Sequence, residues 1–433
     1  MASISWGALA PLDFRTFDFA RYLTLAVTDR APRYHAGDLR LLGLPDHEVE
    51  FFGDRFGYDA AGQLATGTIT TFQETVGGVR LGRFSEIAVS VEQFRAWSAP
   101  GQSQVGLATI LAGDDRIAGS PFADFVIGYG GNDQIDLGAG DDAAFGSVGS
   151  DLINGRSGTD QMLLSAGRAD YLLVIWGGNV GAVPLTGAAL GADGIDKATA
   201  VEQLAFLGDG STVTVGADNF KPLDYLASYQ DLMAAFGANP SAGFDHFIYS
   251  GVYEGRQTKF SGFEYLASYP DLEAAFGSSG DAAAASHYIT NGRFEGRQVT
   301  FDGLAYIASH RELIRTLGAD DDAGASHYLN IGRADGLKVT FDPLEYIASN
   351  KDLILAFRAD RDAGSTHYIE HGFDEHRKTD SFDAEQYLAN YADLRAAFGD
   401  DLNAARIHYI EHGVDEGRTD DRPGRGAEAD FLL

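Results

Sequence analysis

The chain has no cysteine among its 433 residues. A disulfide framework and a thiolate metal site are therefore both excluded, and so is a thiol nucleophile. Basic residues are scarce, with 32 Lys and Arg against 63 Asp and Glu, for a formal net charge of −31. Such a balance disfavours nucleic acid and anionic membrane surfaces, whose phosphates are bound through Lys and Arg. No apolar run approaches the ~18 residues of a membrane span. The first residues, MASISWGALAPLDFR, lack a basic stretch ahead of a long apolar one, which makes them a poor secretory signal peptide. Catalytic signatures are missing too: there is no HExxH, no GxSxG elbow and no Walker A loop. The reading is of a protein that is not an enzyme.

Glycine, by contrast, is abundant at 54 residues, and 45% of the chain is hydrophobic, enough to bury real cores. Much of the glycine falls in one block. Residues 110–163 divide without insertion into six nonapeptides: ILAGDDRIA, GSPFADFVI, GYGGNDQID, LGAGDDAAF, GSVGSDLIN and GRSGTDQML. The sixth position is always aspartate: Asp115, Asp124, Asp133, Asp142, Asp151 and Asp160. The fourth is Gly113, Gly131, Gly140, Gly149 or Gly158, with Phe122 the exception. The eighth is apolar throughout, from Ile117 to Met162. A flexible linker would not hold this phase.

Each nonad is expected to be a short strand with its apolar residue inward, followed by a glycine-rich turn. Two nonads make one coil, so aspartates eighteen apart stack in two columns. Stacked carboxylates repel unless a cation sits between them, and carboxylate plus backbone carbonyl is a hard-oxygen set suited to Ca²⁺.

The block resembles the GGxGxDxUx repeats of the RTX, or hemolysin-type, calcium-binding proteins. That resemblance implies a parallel β-roll with ions at Asp115/Asp133, Asp133/Asp151, Asp124/Asp142 and Asp142/Asp160, about four in all. Loop ligands would come from the turns of Gly113, Gly131, Gly140 and Gly149. Phe122 makes the Asp124 loop the weakest of the six.

A second period fills residues 220–420. Five copies of an approximately 41-residue unit place Phe at 220, 260, 301, 341 and 382, Tyr at 225, 265, 306, 346 and 387, and His at 246, 287, 327, 367 and 408. A stretch such as YLASYPDLEAAFG predicts one helix, and the following HYI stretch a second, ended by the next Gly. Units this small must stack on their neighbours. They resemble the YLA…DL…HY…G…EGR repeats appended to bacterial secreted RTX-type and cell-surface proteins. The closing Glu–Gly–Arg reads as a turn or an ion pair between repeats. The pair His367 and His371, with Glu375 and His376 close by, has zinc-like spacing, as do His408 and His412. The recurrence of the first His in every copy instead favours a packing role.

The expected fold is thus a multidomain β plus α chain. It comprises a β-rich cap (1–109), the calcium roll (110–163), a second β-rich cap (164–219), the helical array (220–420) and a tail (421–433). The tail ends in DFLL, which resembles a type I secretion signal of RTX exports. Taken together, the sequence predicts a secreted, calcium-binding structural protein that self-assembles as a surface layer or filament. The alternative is a calcium-dependent adhesin binding a surface polysaccharide.

Overall fold

Ile117, Ile135 and Ile153 lie opposite one another on parallel strands Arg116–Ala118, Gln134–Asp136 and Leu152–Asn154. Val126, Ala144 and Met162 do the same on Phe125–Ile127, Ala143–Phe145 and Gln161–Leu164. Odd and even nonads therefore feed two different sheets, and the coil is eighteen residues long. The strands are short because only positions seven to nine lie between turns. All six eighth-position side chains are at most 2% exposed and form one core with the flanking segments. This is a computed structural model describing residues 1–23, 26–29, 34–37 and 47–422.

The flanking segments were expected to cover the ends of the coil; they also continue it. Below, Ser3–Trp6 pairs in parallel with Arg116–Ala118. Above, Asp196–Thr199 pairs with Leu152–Asn154, and Gln203–Phe206 with Gln161–Leu164. Only beyond these do antiparallel strands take over. His47–Tyr58, Leu64–Val76 and Val79–Ser90 form a meander that ends on Ser3–Trp6. Its first turn is held by Asp59, whose carboxylate accepts from the Ala61 and Gln63 amides. Aromatic residues fill the meander's core, with Phe72 and Phe84 stacked 4.4 Å apart. Two helices not expected from the sequence, Val91–Trp97 and Ser103–Ile110, follow it. The first starts at a Ser90/Gln93 capping box.

The chain divides into two compact units, 1–222 with 244–256 and 223–243 with 257–433. The second holds most of the 41-residue repeats. The single helix expected over YLASYPDLEAAFG is two, Gly262–Ser268 and Pro270–Phe276. Tyr269 between them is extended, at φ −133° and ψ 102°. The third helix, Asp281–His287, runs into a π-helical turn, Tyr288–Gly292. The break is made by Ser268, whose hydroxyl donates to the Glu264 carbonyl and accepts from the Thr300 and Phe301 amides of the next repeat. Ser309 makes the same link to Thr340 and Phe341. A hydroxyl that closes a helix and starts the next repeat has no local sequence signature.

The recurring residues are engaged with one another inside each repeat. Phe301 stacks on Tyr328 at 4.4 Å, and Phe341 on Tyr368 at 4.6 Å. The hydroxyls of Tyr265, Tyr306, Tyr346 and Tyr387 bond Nδ1 of His287, His327, His367 and His408 at 2.9–3.1 Å. A Cβ on Gly292, Gly332, Gly372 or Gly413 would overlap that same tyrosine hydroxyl. Of the two expected roles of Glu–Gly–Arg, the turn is found, with Gly255, Gly296 and Gly417 left-handed, whereas the arginine pairs within its own repeat and not with a neighbouring one. Arg297 meets Asp271 at 2.9 Å and Glu295 at 2.7 Å, and Arg377 meets Asp352 and Glu375 at 2.6 Å each.

Candidate metal centre

The six aspartates stand in two columns, as their spacing predicts, and each carboxylate has a directed bond. The Asp115 amide donates to Asp133 Oδ1 at 2.8 Å, and the Asp133 amide to Asp151 Oδ1 at 2.7 Å. In the other column the Asp124 amide donates to Asp142 Oδ1 at 2.7 Å, and the Asp142 amide to Asp160 Oδ1 at 2.9 Å. Successive coils are thus fastened by an amide as well as by strand pairing. The chain itself closes the ends: Ala2 N donates to Asp115, Leu12 N to Asp124, and Asp160 N to Glu202.

The second oxygen behaves differently. Oδ2 of Asp115, Asp133, Asp142, Asp151 and Asp160 is buried with no hydrogen-bond partner. These residues are 0–2% exposed. A buried carboxylate oxygen without a donor costs several kcal/mol unless a positive charge reaches it. Asp124 is the exception, since its Oδ2 accepts from the Ser120 amide at 2.5 Å and its Oδ1 from the Ser120 hydroxyl at 2.7 Å. It belongs to the nonad that carries Phe122.

Burial, reinforced by the neighbouring carboxylates, pushes Asp133 up to about 8 and Asp142 to about 6. Asp115, Asp151 and Asp160 are raised for the same leading reason. Such groups resist ionisation unless a cation compensates them.

The turns leave no spare room. Gly131, Gly140, Gly149 and Gly158 are left-handed, at φ +105° to +142°. A Cβ on Gly131 would overlap Gly113, and one on Gly149 would overlap Gly131. Gly113, in the first loop, keeps an ordinary φ and faces open space, so it does not share this constraint. First-position glycines, which Ile110 and Leu137 replace in two nonads, were not among the predicted site residues. A Cβ on Gly128 or Gly146 would overlap Oδ2 of Asp133 or Asp151. Fifth-position residues form a further ladder: Asn132 N donates to Asp114 Oδ1 and Ser150 N to Asn132 Oδ1, each at 2.8 Å. Polar residues recur there in the sequence and were the available signal.

Among the described residues, no three His, Asp or Glu side chains converge on one point. Ligand sets in the coil must therefore draw on backbone carbonyls. The same observation bears on the histidine pair: His367 is bonded to Tyr346, His371 is 62% exposed, and Glu375 is held by Arg377. The DFLL tail lies outside the described residues.

Stacked glycine turns presenting inward carboxylates define a cation-binding repeat. Comparison with known families makes this specific: residues 111–144 and 138–168 match the RTX calcium-binding nonapeptide repeat, in four copies. The chain thus carries RTX repeats, which imply calcium binding and a β-roll. No curated protein matches the chain. No helix among the described residues is long and apolar enough to cross a membrane.

Proposed function

We propose that this is an exported structural protein that calcium folds and then assembles at the cell surface or in the extracellular matrix. The observation that carries the reading is the set of five partnerless, buried Oδ2 atoms. Asp115, Asp133, Asp142, Asp151 and Asp160 would hold the ions with loop carbonyls, about four ions in all. Asp124, its oxygens occupied by Ser120, would be the weakest contributor. Bound Ca²⁺ would supply the positive charge that lets these carboxylates ionise while buried.

Mass action gives the switch. Extracellular Ca²⁺ at ~1 mM against site constants of ~0.1–1 mM contributes on the order of 0.4–1.4 kcal/mol per site, and cytosolic levels almost nothing. Assembly is argued from charge. At −31, copies repel one another until Ca²⁺ neutralises part of that charge. Exposed Phe294, Leu355 and Ile331 then offer apolar contacts on the repeats. Negative-stain microscopy of the full chain tests this. Filaments or sheets are expected with Ca²⁺ and should dissolve with chelator; monodisperse particles under both conditions would refute it.

A second reading, a calcium-dependent adhesin, has one observation in its favour. A groove of about 530 Å³ is lined by Ser3, Arg116, Gln134, Asn154, Lys197 and Thr199, among others. These side chains offer the hydrogen bonds a polysaccharide would use. Binding on a glycan array by non-assembled protein would favour it.

A further inference from the structure

Tyr346 lies on the helix Pro343–Ala348, and His367 ends the helix Arg361–His367, just before the π-helical turn Tyr368–Gly372. Their 2.9 Å bond ties the first helix of the repeat to that turn. Tyr387 and His408 do the same for Ala384–Asn390 and Tyr409–Gly413, also at 2.9 Å. Both tyrosines are 0% exposed, and Gly372 and Gly413 close over their hydroxyls so tightly that a Cβ would overlap the oxygen. A buried phenol needs an acceptor for its proton, and Nδ1 is the partner it has. Each imidazole therefore carries its own proton on Nε2. A second proton would go to Nδ1, turn the acceptor into a donor and strand the buried phenol proton.

The surroundings of His367 do little to welcome that charge. Phe357, at the end of the helix Lys351–Phe357, packs its ring 5.5 Å away. Asp352 on the same helix and Glu375 in the closing turn are both taken by Arg377 at 2.6 Å. His371 stands 5.6 Å off and would carry a like charge. Arg361 and Asp362 lie at the opposite end of its own helix. The preceding repeat's helix that packs on the π-turn, Gly303–Ala308, has Tyr306 as its one titratable residue, bonded to His327. The set around His408 is the same: Phe398 at 5.7 Å, Asp393 and Glu416 held by Arg418, and His412 at 5.6 Å. Glu345, on the helix Pro343–Ala348 packed against it, is held by Arg406 at 2.8 Å. Copies two and three make the same tyrosine bond but carry Asn291 and Ile331 in place of the second histidine.

We propose that these two bonds are an acid-release latch: when His367 and His408 take a second proton, the first helix parts from the π-turn and copies four and five loosen. The latch is independent of the calcium reading above. Burial, the leading cause, holds both imidazoles below their ordinary value, and His371 and His412 push the same way. The latch therefore contributes fully above the ordinary imidazole value of about 6.5, and that contribution is lost as pH falls below it. The calcium-free roll responds with the opposite sign, since its raised aspartates favour acid.

Hydrogen exchange of the full chain in saturating Ca²⁺, corrected for the intrinsic effect of pH, tests this between about pH 7.5 and pH 5. Protection of residues 343–372 and 384–413 should fall about tenfold or more across that range. His371→Asn combined with His412→Asn, which borrows the asparagine of copy two, should move the fall to lower pH. Protection indifferent to pH, or a double variant that loosens at the same pH as wild type, overturns the proposal. Should the double variant fail to fold, nitrogen-15 NMR of the wild-type imidazoles decides. His367 and His408 should carry their proton on Nε2 in the neutral form and titrate below His371 and His412. A neutral proton on Nδ1, or titration level with the exposed pair, overturns the proposal.

Discussion

Asp133 is the residue on which the most depends. One of its oxygens is fixed by the Asp115 amide, its own amide is fixed to Asp151, and its Oδ2 has no protein partner. Asp133→Ala should weaken two ion sites, whereas Asp115→Ala should weaken one and also free the Ala2 amide. Calcium titration calorimetry of the two variants reads the difference. Gly131→Ala should destabilise by about 2–4 kcal/mol, since it adds a left-handed strain to a clash with Gly113; a thermal melt in calcium measures this. The pH dependence has a defined sign. Burial raises the folded values, to about 8 for Asp133 and about 6 for Asp142. Without metal, their contribution is therefore full below the ordinary carboxylate value near 4 and is lost as pH rises through 6 to 8. The calcium-free protein should thus melt higher at pH 5 than at pH 8. Calcium affinity should move the opposite way, because each ion must displace protons.

The repeats show what a period does and does not reveal at the level of the element. Position eight of the nonads and the Phe, Tyr and His of the longer units were legible because each recurs at a fixed step; the nonad residues and the tyrosines are buried, and the histidines, Phe301 and Phe341 are partly so. The helix break after Ser268 was not, because it depends on bonds to residues some thirty positions later. Only the second copy carries a proline, Pro270, at the break. Asp196, whose Oδ1 accepts from the Asp151 amide at 3.0 Å, was not read as part of the column because a hairpin separates it from the uninterrupted nonads, although GADGIDKAT keeps their pattern. The unpartnered Oδ2 atoms are a property of the fold that no spacing could display. Glycine at the π-turn makes the array testable. Gly332→Ala should cost about 1–3 kcal/mol by overlap with the Tyr306 hydroxyl, and adding Tyr306→Phe should restore part of it. Urea unfolding of the single and double variants gives that coupling. Arg297→Ala, which breaks an exposed ion pair, should cost no more than about 1 kcal/mol.

Charge dominates at the scale of the whole molecule. A chain at −31 that also buries a ladder of carboxylates is poised against folding wherever cations are scarce. Calcium then acts on both terms, the buried oxygens and the net repulsion. Monovalent salt screens the second and leaves the first, so sodium chloride should not substitute for millimolar calcium. The most direct test is therefore a thermal melt of the full chain, followed by far-UV circular dichroism, in 5 mM chelator, in ~1 mM Ca²⁺, and in chelator with added sodium chloride. The account predicts a midpoint that rises by several degrees or more with Ca²⁺ alone. Identical melts in all three conditions would contradict it.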